Sequence, residues 1–235
     1  MSENIQAARS TLTTPRAAAV AGILFSLLLI AALVLVRLAV PENPEAAADW
    51  LGRSARQVRL ALQLVPFAGI AFLWFIGVVR DRIGDQEDRF FATVFLGSGL
   101  LFLAMLFGST AVASGIMVMY GDAPGTLIKN GIYTFGRVIT YEIMNVYAMK
   151  MAGVFMISTS TLALRTRVLP RWMAILGFFL AAFLLFSLGF FSWSPLVFPL
   201  WVLLISVHIL LANRRSSPGQ GAGPVPPQQE IRPTN

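Results

Sequence analysis

Cysteine is absent from this 235-residue chain. That excludes disulfides, thiolate metal sites, iron–sulfur ligation and cysteine nucleophiles. Histidine occurs once, at His208, so no pair of imidazoles exists to hold a haem or build a zinc site. Charge is scarce as well: Asp, Glu, Lys and Arg make up 12% of the residues, against 57% hydrophobic. A soluble domain of this size would lack the polar surface to stay dissolved. No H-E-x-x-H, G-x-S-x-G or paired-carboxylate pattern is present. Catalytic residues, cofactor-binding residues and metal ligands are therefore not assigned.

What the chain has instead is six long apolar runs, near residues 17–40, 61–79, 90–120, 138–163, 172–191 and 195–212. A helix needs about 20 mostly apolar residues to cross the hydrocarbon core of a bilayer. Backbone polar groups in lipid must be satisfied within the segment, so each run predicts a helix. The expected fold class is an all-α, polytopic transmembrane bundle of about six spans, with the lipid bilayer as its solvent and first partner. The first run is too long for the core of a cleaved secretory signal, and its only small cluster, Ala46-Ala47-Ala48, lies beyond Arg37 and Pro41. It reads as an uncleaved anchor. Residues 1–16 and 213–235 read as disordered tails, the latter rich in Pro, Gly and Gln. Residues 45–60 read as an outer interfacial helix leading into the second span.

The net charge of +7 does not point to nucleic acid, because the basic residues are spread over loops rather than gathered on one face. They act as topological signals. Arg9, Arg16, Arg80, Arg82, Arg89, Arg165, Arg167, Arg171, Arg214, Arg215 and Arg232 fall on the side of the termini. Only Arg37, Arg53, Arg56, Arg59, Lys129 and Arg137 fall on the other. The excess predicts both termini in the cytoplasm. Trp172 then marks the inner interface, and Trp50 and Trp193 the outer one. Arginine far outnumbers lysine, as in a GC-rich bacterial genome, which makes a bacterial cytoplasmic membrane the expected location.

Few polar groups lie inside the spans. The fourth carries Glu142, Asn145 and Lys150, which share about 140° of arc at 100° per residue. That face should look into the bundle, because ionised groups facing lipid cost at least ~2.5–3.5 kcal/mol each. Arg37 and Glu142 share a depth near the outer surface and are expected to form an ion pair. Lys150, near mid-bilayer, admits two readings: a strut bonded to hydroxyls and carbonyls, or a site for an anion or proton. Arg37, Glu142, Asn145 and Lys150 are thus the candidate intramembrane polar site. Ala104, Gly108, Ala111 and Gly115 form a small-residue stripe on the third span. Its expected use is packing within the bundle, with a homo-oligomer or another membrane protein as the alternative partner.

Three local resemblances accompany this reading. Gly77-Val78-Val79-Arg80-Asp81-Arg82-Ile83-Gly84 resembles the G-x-x-x-D-R-x-G loop signature of major facilitator transporters. The resemblance implies a latching role for Asp81 and Arg82 on the cytoplasmic side. The chain departs from that family at Asp85, Gln86, Glu87 and Asp88, where basic residues would follow. Without the family, the segment is a charged turn in which Asp85 or Asp88 complements a helix dipole. Leu96-Gly97-Ser98-Gly99 resembles the serine motif of rhomboid-type proteases, which implies a Ser98–His208 dyad. Arg165-Thr166-Arg167-Val168-Leu169-Pro170-Arg171-Trp172 is similar to uncharacterised multipass bacterial membrane proteins, a likeness that implies no activity. Two functions stay open: a non-enzymatic accessory or structural component, and a small-solute or ion transporter using the Glu142/Asn145/Lys150 face. An intramembrane hydrolase is the remote third.

Overall fold

The computed structural model describes residues 2–40, 47–83, 89–122, 130–166, 169–186 and 193–215, with side chains placed in 17–40, 54–80, 92–120, 130–165, 169–186 and 193–212. All the regular structure in these segments is helical. The order is α1 (Ser2–Ala39), α2 (Ala47–Ile83), α3 (Arg89–Asp122), α4 (Ile132–Glu142), α5 (Met149–Thr166), α6 (Arg171–Phe186) and α7 (Val197–Arg215). A six-residue π-helical turn, Ile143–Ala148, joins α4 to α5, so the two form one continuous rod. A single 3-10 turn, Ser194–Leu196, leads into α7 with Pro195 near its start.

Five helical segments are long and apolar enough to cross a membrane: Ala17–Ala39, Ser54–Arg80, Ala92–Tyr120, Ile132–Arg165 and Ser194–Ala212. The sixth apolar helix, α6, has 16 residues. At 1.5 Å per residue it measures about 24 Å, short of the ~30 Å hydrocarbon core. The protein is an all-α membrane bundle. α1 carries its helix through residues 2–16, read from sequence as a tail, and α2 begins at Ala47, so the segment near 45–60 is continuous with the second span. The C-terminal stretch 216–235 lies outside the described residues.

One half of the bundle is filled by rings. Phe25 of α1, Phe72 and Phe75 of α2, Phe95 and Phe102 of α3, Phe155 of α5 and Phe198 of α7 are all buried. Their ring centroids lie 4.5 to 6.4 Å apart, in tilted, stacked and edge-on pairs. Aromatic pairs at such spacings are worth about 0.5–1.5 kcal/mol beyond their area burial, so this layer pins five helices at one depth. A smaller cluster of Ala39, Val58, Ile116, Met117 and Tyr133 forms at the opposite end. The space between these two cores holds the site described below.

Close helix approach is made by glycines other than the predicted stripe. A Cβ on Gly177 of α6 would strike the Ser160 hydroxyl and approach the Trp201 indole nitrogen at 3.0 Å, and one on Gly153 would come within 3.2 Å of the Ala181 carbonyl. By contrast, Ala104, Ala111 and Gly115 are exposed, and a Cβ on Gly108 or Gly115 meets nothing within 4 Å. The α3 stripe faces outward. The expectation that it packs within the bundle is corrected accordingly.

Candidate functional site

A cavity of about 240 Å³ opens at the end of the bundle where α1 finishes and α4 begins. On α1 it runs from Leu29 to Val40, and on α3 from Leu106 to Met117. Both stretches correspond to about 16 Å of depth at 1.5 Å per residue, or about half the hydrocarbon core. The phenylalanine layer lies beneath: Phe25 is one turn below Leu29, and Phe102 one turn below Leu106. The cavity is therefore blind, open at one end and closed by rings at the other.

Its lower wall is apolar, with Leu29, Leu33, Val65, Leu106 and Met144, while polar groups gather nearer the mouth. Arg37 sits one turn before the described end of α1. Its guanidinium carbon lies 6.0 Å from the centroid of the Trp193 ring, within the range of a cation–π contact. Arg137, one turn into α4, donates from Nη1 to the Tyr133 hydroxyl at 3.4 Å. Both arginines line the cavity, and no aspartate or glutamate is among its described lining residues. Gly131 takes a left-handed backbone conformation, φ 69°, at the start of α4, turning the chain so that Tyr133 and Arg137 face inward.

The π-turn shapes the deeper part. A carbonyl near such a turn loses the regular i+4 ladder and favours another donor. Ser109 of α3 supplies one, donating to the Thr140 carbonyl at 3.0 Å. The turn also changes the angular advance per residue, so the 100° projection from Glu142 to Lys150 fails across it. Asn145 points inward, 9% exposed, and donates from Nδ2 to the Tyr141 carbonyl at 3.0 Å. Glu142 is exposed and Lys150 half-buried, and neither lines this cavity.

Of the four sequence-derived candidates, Arg37 and Asn145 share the cavity, whereas Glu142 and Lys150 stand apart from it. No ion pair joins Arg37 to Glu142. Glu142 is exposed and lies two residues from Met144 of the lower wall, whereas Arg37 stands at the mouth and faces Trp193. Lys150 makes no hydrogen bond or ion pair with a described residue. Arg137, Tyr133 and Trp193 were missed as site residues. An arginine one turn inside an apolar run, four residues after a tyrosine, was the available signal.

The remaining motifs stay separate. Ser98 donates to the Val94 and Phe95 carbonyls of its own helix at 2.6 and 3.2 Å, and no hydrogen bond links it to the half-buried His208. The side chains of Asp81 and Arg82, and residues 84–88, lie outside the described residues. No group of three or more His, Asp or Glu among the described residues is arranged to hold a metal.

Comparison with protein-family models, with curated proteins and with solved structures found no match. The functional reading therefore rests on the cavity.

Proposed function

We propose that this integral membrane protein is a non-enzymatic binding component for anionic amphiphiles. It resides in a bacterial cytoplasmic membrane with both termini cytoplasmic and the cavity mouth on the outer face. The orientation follows from the arginine excess on the side of the termini. One observation supports the ligand class: Arg37 stands at the mouth of a blind, mostly apolar cavity whose described lining has no carboxylate. An anionic head suits the Arg37 guanidinium, and an apolar tail suits the leucine, valine and methionine side chains below it. Small-solute transport gains less from the geometry. Only Asn145 of the Glu142/Asn145/Lys150 set borders the cavity, and the phenylalanine layer closes its lower end.

The test uses purified protein in an uncharged detergent, titrated with dodecyl phosphate and, as a control, dodecyltrimethylammonium. A charge-assisted hydrogen bond contributes ~1.5–3 kcal/mol, so Arg37→Gln should weaken dodecyl phosphate binding about tenfold or more. The cationic control should not compete. Equal binding of both amphiphiles, or unchanged affinity in the folded variant, would sink the reading.

A further inference from the structure

We infer that the amphiphile is an anionic lipid of the surrounding bilayer, one acyl chain of which enters the cavity sideways between the outer halves of α2 and α3 while the rest of the lipid stays in the membrane. This rests on the reading of the cavity given above. A second hollow, about 780 Å³, lies on the outside of the bundle along this seam. Pro66, Phe107, Ala111 and Val118 line it and are exposed. Because α2 and α3 both span the membrane, the medium at this exposed face is lipid. Arg59 lies at the rim, near the depth of Arg37 by its position on α2, and is also exposed.

The groove and the cavity share three lining residues, Leu62, Thr110 and Met117. They form a partition one side chain thick. Its members suit opening: Met117 is unbranched and flexible, and the Thr110 hydroxyl is held back by its own helix, donating to the Leu106 carbonyl at 2.8 Å. Pro66 has no N–H to give the Leu62 carbonyl four residues earlier, so α2 lacks a backbone bond at the partition. The route also carries a charge gradient suited to a phosphate head. Arg59 stands at the lipid side, with Arg37 and Arg137 inside, and no described acid lines either hollow. A lipid moving along this seam keeps its acyl chains on a mostly apolar, lipid-facing surface, with Arg59, Gln63, Thr110 and Ser114 as its polar points. From water, the same chains would have to pass the charged mouth.

The test exploits residues that line the groove alone. Ala111 and Ser114 face the groove and not the cavity, so Ala111→Trp and Ser114→Trp should plug it while leaving the binding residues intact. Full-length protein in phosphatidylcholine vesicles is fused rapidly with vesicles holding a diazirine-bearing phosphatidylglycerol, so that probe and protein share one bilayer, and is irradiated at short times after fusion. Labelled residues are located by mass spectrometry. In the parent protein, label should appear on Leu33, Leu106 and Met144, and the plug variants should lose at least nine-tenths of it. A water-soluble diazirine-bearing alkyl phosphate should label the same residues equally in parent and plug variants. A diazirine-bearing phosphatidylcholine should label the groove but not the cavity. Unchanged lipid labelling in the plug variants, or an equal fall with both anionic probes, overturns the sideways route while leaving the cavity reading intact. Equal cavity labelling by phosphatidylcholine overturns the anionic selectivity. No cavity label from either anionic probe in the parent overturns both readings together.

Discussion

Arg37 and Trp193 face each other across the mouth of the cavity, the guanidinium carbon 6.0 Å from the ring centroid. The contact ties the last described turn of α1 to the residue preceding the 3-10 turn of Ser194–Leu196. Trp193 is 54% exposed, so the ring stands at the rim and orients the cation without sealing it. An exposed cation–π contact contributes about 0.5–1 kcal/mol. Trp193→Ala should therefore weaken dodecyl phosphate binding by only about two- to fivefold, less than Arg37→Gln, with Trp193→Phe in between. Calorimetric titration of the three variants gives the order. A loss in Trp193→Ala exceeding that in Arg37→Gln would reverse the assigned roles.

Lys150→Met should leave the protein folded, with amphiphile affinity unchanged. Lys150 borders neither the cavity nor the groove and has no hydrogen bond or ion pair with a described residue, so replacing it removes a costly intramembrane charge. Thermal unfolding in detergent should give a Tm equal to or above that of the parent. A folded Lys150→Met protein that no longer binds the anion would place the ligand elsewhere.

The two sets of glycines should respond in opposite ways. Gly177→Val drives a branched side chain into the Ser160 hydroxyl and the Trp201 indole, and overpacking of this kind costs ~1–3 kcal/mol. Gly115→Val meets open space and should leave the unfolding midpoint close to that of the parent. If Gly115→Val instead changes the molecular mass measured by light scattering, the outward stripe of α3 is a contact between copies.

Reporter fusions at positions 125 and 168 should appear on opposite faces of the membrane, the former outside. The expectation rests on the arginine asymmetry and on the loop carrying Arg165, Arg167 and Arg171. Both reporters on one face would refute the orientation, and the outer placement of the cavity with it.

Much of the fold was legible because the bilayer imposes a length on every span: the runs around residues 17–40, 90–120 and 195–212 closely match the apolar segments Ala17–Ala39, Ala92–Tyr120 and Ser194–Ala212. The site was legible only in part. Arg37 and Asn145 stood out as polar groups at apolar depths, and both border the cavity. The single face expected of Glu142, Asn145 and Lys150 failed because depth along a helix is fixed by residue count, whereas the direction of a side chain depends on local winding. Ile143–Ala148 departs from α-helical winding with no Pro or Gly to announce it. The α3 stripe misled for a related reason: composition shows that a face is small, while only packing shows what lies opposite it. Arg137 was counted only as a topological signal because a single arginine near a span end ordinarily reads as an interface anchor.

The phenylalanine layer has an electrical consequence. A membrane voltage falls mainly across the driest part of its path, and moving one elementary charge through the full drop is worth ~2.3 kcal/mol per 100 mV. Here the ring stack is that insulator, and the polar mouth above it shares the potential of its own aqueous side. An anion bound at Arg37, as proposed, would therefore cross almost none of the field, and its occupancy should hold constant whether the membrane is energised or collapsed.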